Sequence, residues 1–199
     1  YYEKGDFDKA LISFQELSNS LPSNPFYFLR KIECMQQLLQ FESAEKEIQE
    51  RLSKYKQAML LIELGYNFQL QKNDSKAKKY YDEALDRIRK TPTEVYSVAN
   101  TFEKKVLLEY ALKSYLLASE IVPTYDFKYQ TALLYGQLGN TDQMIANFLD
   151  EAFENQQATI MIQNQMTRYM SKDEDSKFNE SLRKSLIVRV QKNQDVYWN

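Results

Sequence analysis

The chain has no histidine and a single cysteine in 199 residues. Without histidine the usual general base is missing, and with it serine and cysteine triads, the helical zinc motif and most transition-metal sites. Cys34 alone can form neither an internal disulfide nor a thiolate zinc centre. It lies in the apolar stretch 29–39 and is expected to be buried packing rather than a reactive thiol. Only four glycines and four prolines are present. Sheets and long loops need more turn residues than that, so a nearly all-helical chain is expected. Gly136 and Gly139 are not followed by the lysine and hydroxyl pair of a phosphate-binding loop. No apolar run approaches the roughly 20 residues that span a bilayer, and no charged-then-apolar leader opens the chain. The formal charge of −2, from 26 basic and 28 acidic residues, gives no general drive toward nucleic acid or an anionic membrane.

Carboxylates remain as candidate chemistry. Asp150 with Glu151, and the cluster Asp173, Glu174 and Asp175, could serve acid/base work or calcium, but the cluster lacks the central glycine and distal ligands of a calcium loop. It reads instead as a solvated helix start favoured by the macrodipole. The mixed charges of 72–79 and 172–175 read as exposed surface. No metal, cofactor or catalytic residue is expected.

What the chain does contain is a ladder of small residues. Ala10, Ala44, Ala77 and Ala111 follow one another at steps of 34, 33 and 34. Four places after each stands a bulky residue, Phe14, Ile48, Tyr81 or Tyr115, and three beyond that Ala84 and Ala118 in the better copies. A period near 34 with small residues at fixed places specifies helix-turn-helix units, each unable to bury its apolar face alone. Punctuation sets the helix boundaries. Asn24 before Pro25 reads as an N-cap, and Thr91-Pro92-Thr93-Glu94 as a capping box. Further starts fall at Asn73 or Asp74, at Asn140 or Thr141, and at Ser171 with Glu174. Helices are predicted over 8–20, 25–38, 41–54, 57–71, 74–90, 93–105, 108–121, 125–138, 141–154, 158–170 and 174–193. Their short connections make successive helices antiparallel neighbours.

The segment Leu61, Glu63, Leu64, Gly65, Phe68, Ala77, Tyr81 and Ala84 resembles a tetratricopeptide repeat. The next copy is similar, with Ala99, Phe102, Ala111, Tyr115, Ala118 and Pro123. The first keeps Ala10, Phe14 and Pro22 without its leading helix, and 127–151 keeps Ala132, Tyr135, Gly139 and Phe148 with Met144 replacing the ladder alanine. The second is the most degenerate, with Ile32 and Arg51 at small positions, where looser packing is expected. The resemblance covers 1–155, in units of about 1–22, 25–56, 58–92, 93–123 and 125–155. Residues 156–199 form a further helical pair whose spacing (Ile160, Ile162, Met166, Met170; Leu182, Leu186, Val190) lacks a repeat signature.

This resemblance implies an all-α right-handed solenoid in which the first helix of each pair lines a concave groove. The groove positions would be Leu29, Glu33 and Gln36; Ile62, Tyr66 and Gln69; Tyr96, Asn100 and Glu103; Tyr129 and Leu133. It implies a non-catalytic scaffold that holds a peptide or protein partner, with neither nucleic acid nor membrane insertion involved. Family members that clamp a carboxylate-terminated chaperone tail use lysine, arginine and asparagine on these faces; only Asn100 matches, which argues against that ligand. The alternative is a structural spacer or regulatory segment of a longer multidomain protein. A start at Tyr1 inside a repeat, and the close on Val196, Tyr197, Trp198 and Asn199, suggest a segment of a longer chain. Its composition resembles that of large tetratricopeptide proteins of Bacteroidetes-type bacteria.

Overall fold

The computed structural model describes residues 1–170 and 176–192. It holds eleven α-helices, and no strand among the described residues. They are α1 Phe7–Ser20, α2 Pro25–Gln37, α3 Phe41–Tyr55, α4 Ala58–Leu70, α5 Asp74–Lys90, α6 Val95–Lys104, α7 Leu108–Ile121, α8 Lys128–Gln137, α9 Thr141–Glu154, α10 Thr159–Thr167 and α11 Lys177–Lys192. Short 3-10 turns precede α1, α6 and α10. The chain divides into two compact units, the first ending at Thr101 and the second beginning at Phe102. In the first, α1 packs on α2, α2 on α3, α3 on α4 and α4 on α5. In the second, α7 packs on α8 and α8 on α9, while α10 and α11 both pack on α9.

The ladder has a structural counterpart. Ala10, Ala44, Ala77, Ala111 and Met144 are each the fourth residue of their helix, α1, α3, α5, α7 and α9, and each is buried. In all five the ladder N–H donates to the carbonyl of the residue just before the helix, at 3.0 Å. A small side chain one turn into a helix allows the preceding helix to come close. Gly65 of α4 shows how close. A Cβ there would lie 2.5 Å from Cε1 of Tyr81 and 3.1 Å from the carbonyl oxygen of Ala77.

The turn before each of these helices also repeats. Gly5, Leu39, Lys72, Val106 and Gly139 all take positive φ, between 59° and 77°. The residue after each donates its N–H five residues back, as Gln40 does to the Met35 carbonyl, Asn73 to Phe68, Leu107 to Phe102 and Asn140 to Tyr135. This is the Schellman closure, which satisfies carbonyls at a helix C-terminus and normally recruits glycine. Three of the five sites carry a side chain, and Val106, β-branched and 76% exposed, is the most strained because its Cβ crowds the backbone in the left-handed region. Val106→Gly should therefore raise stability by about 0.5–1 kcal/mol, strain relief outweighing the added freedom of the unfolded chain. A lower denaturation midpoint for that variant would show the turn to be relaxed as it stands.

Most predicted boundaries agree with the observed ones to within one residue, and the starts of α6, α8 and α11 fall further along the chain than predicted. Asn24 caps α2 by accepting the Phe26 N–H at 3.0 Å, and Asn73 caps α5 by accepting that of Lys76 at 3.2 Å. The expected box at Thr91 does not form: the Thr91 side chain caps nothing, Pro92–Glu94 winds as a 3-10 turn, and α6 starts at Val95. The α8 start moves to Lys128 because the Asp126 carboxylate accepts the Lys128 N–H at 3.0 Å. α10 begins at Thr159, after the turn Gln156–Ala158, and ends at Thr167 rather than 170, and α11 begins at Lys177 rather than 174. The start expected at Ser171 with Glu174 lies outside the described residues.

Candidate functional site

The expected groove residues divide by burial. In α2, Leu29 and Glu33 are half-buried, whereas Gln36 is 3% exposed. In α4, Tyr66 and Gln69 are half-buried and Ile62 is fully buried. Gln36 and Ile62 are thus corrected from surface to interior positions. Ile62 belongs to a run from Leu60 to Gly65 that is buried all round, so α4 offers no clean apolar stripe from which to read its outward face. In α6, Tyr96 is 50% exposed and Asn100 is exposed beside it, one turn on. Glu103, Tyr129 and Leu133 in the second unit are half-buried, and the last two pack against its core, Tyr129 lying 5.9 Å from the Phe148 ring.

Several of these side chains serve their own unit. The Gln69 amide oxygen accepts the Tyr81 hydroxyl at 2.7 Å, fixing the ring that faces Gly65. Glu33 accepts from the Tyr2 hydroxyl at 3.1 Å and from Arg30 at 2.8 Å, and Arg30 also stacks on the Tyr2 ring at 4.7 Å. Burial and the Glu33 carboxylate together raise the Tyr2 pKa. In the second unit, burial raises the pKa of the Glu103 carboxyl. Cys34 is fully buried, and burial, reinforced by Glu33, pushes its thiol up to about 11. At neutral pH it is a small apolar core residue.

The most degenerate repeat is packed by substitution. Ile32 fills its small position and is fully buried, and the Arg51 guanidinium stacks over Phe28 at 4.5 Å and Tyr55 at 4.9 Å. Its polar atoms fare less well. Gln36 Nε2 and Arg51 Nε are buried without a hydrogen-bond partner among the described residues.

The carboxylates Asp150 and Glu151 each have a local partner. Asp150 pairs with Arg189 of α11, and Glu151 accepts the Asn155 side-chain amide at 3.0 Å. No group of three potential ligands converges there, and no described helix is long and apolar enough to cross a membrane. The cluster Asp173–Asp175 lies outside the described residues.

The second unit does contain a cavity that sequence reasoning did not assign. About 350 Å³ in volume, it lies between α10 and α11 and is floored by Leu149, Ala152 and Phe153 of α9. Its walls are Ile162 and Met166 on one side and Leu182 and Leu186 on the other. The helical spacing of those wall residues is visible in the sequence; that the two helices splay over α9 is not. Close approach again sets the geometry at one end. A Cβ on Gly136 would lie 2.6 Å from Met144 Sδ and 3.0 Å from the Tyr169 hydroxyl, and Tyr169 stacks on Phe178 of α11.

No protein-family model matches the chain, and no curated protein matches it.

Proposed function

We propose that this chain is a non-catalytic interaction scaffold of tetratricopeptide type that holds a peptide or protein partner on the exposed side chains of its first-of-pair helices. The supporting observation is α6, where Tyr96, 50% exposed, and Asn100 stand one turn apart on a solvent-facing stripe. A tyrosine there offers a large apolar face with a polar tip and loses little rotamer freedom on contact. Tyr66, with Leu29, Glu33 and Gln69, belongs to the proposed set in the first unit, and Tyr129, with Glu103 and Leu133, to that in the second. Charge contributes little to such a site.

Tyr96→Ala is expected to weaken partner capture by about 1–2 kcal/mol, and rising salt to weaken it only slightly. Tyr129→Ala also removes a core contact with Phe148, so its folding has to be matched by circular dichroism first. The measurement is a comparison of proteins captured from the source organism's lysate by wild type and by the Tyr66, Tyr96 and Tyr129 triple alanine variant. Identical captured sets would reject this stripe and favour the spacer reading.

A further inference from the structure

We draw no further inference here: the strongest candidate, the apolar groove of about 350 Å³ between α10 and α11 over α9, is an unpartnered face, and nothing in the structure shows what covers it.

Discussion

Gly65→Leu is expected to destabilise the first unit by about 3 kcal/mol, the upper end of overpacking effects. The Cβ alone would sit 2.5 Å from Cε1 and 2.7 Å from Cδ1 of Tyr81, and the branched remainder of a leucine has nowhere to go. Tyr81 cannot easily move aside: it is 3% exposed, and its hydroxyl is tied to Gln69. On the far side the Ala77 carbonyl limits any shift of the helix itself. Gly65→Ala meets the same ring with less bulk and should cost less, and Tyr81→Leu, which removes that ring, should recover part of the loss in the double variant. Chemical denaturation of the four proteins measures it; simple additivity of Gly65→Ala and Tyr81→Leu would mean that the ring is not what the glycine makes room for.

Glu47→Ala is expected to cost about 3 kcal/mol, since it would leave a buried ammonium without its counter-charge. The Lys31 side chain is 4% exposed and reaches Glu47 of α3 from α2, with its ammonium 5.4 Å from the centre of the Phe28 ring. The substitution is not symmetric. Lys31→Met replaces the cation with an apolar chain of similar length, and the remaining carboxylate is 32% exposed and keeps its contact with water, so the loss should be under about 1.5 kcal/mol. Equal losses from the two variants, read from denaturation midpoints, would show that charge burial is not the dominant energy of this pair.

Both predictions concern helices that the sequence announces. The alanine ladder, the scarcity of glycine and proline, and the caps at Asn24 and Asn73 specify an all-helical chain and place its helices to within a few residues, because those signals are local: steric room at a turn and a side-chain acceptor for an orphan amide. The left-handed turns are less legible. Gly5 and Gly139 mark two of them, but Leu39, Lys72 and Val106 reach the same φ with residues that do not advertise it. There the register of the repeat, closed by the six-to-one hydrogen bond, overrides residue preference.

The candidate site divides along the same line. Helical spacing alone could place Tyr66, Tyr96 and Tyr129 on the first-of-pair helices, yet it could not tell that Ile62 and Gln36 turn inward, because α4 is apolar on every side and Gln36 is polar but enclosed. Sequence determined that this protein is built of paired helices, that histidine-based chemistry has no residue to carry it, and, to within a few residues, where the helices begin. Tertiary structure alone decided that α10 and α11 stand apart over α9 to leave an apolar groove, that Lys31 is buried against Glu47, and that Tyr81 occupies the space Gly65 leaves. Each of these depends on the distance between helix surfaces, and that distance is set by how side chains far apart in the sequence interlock.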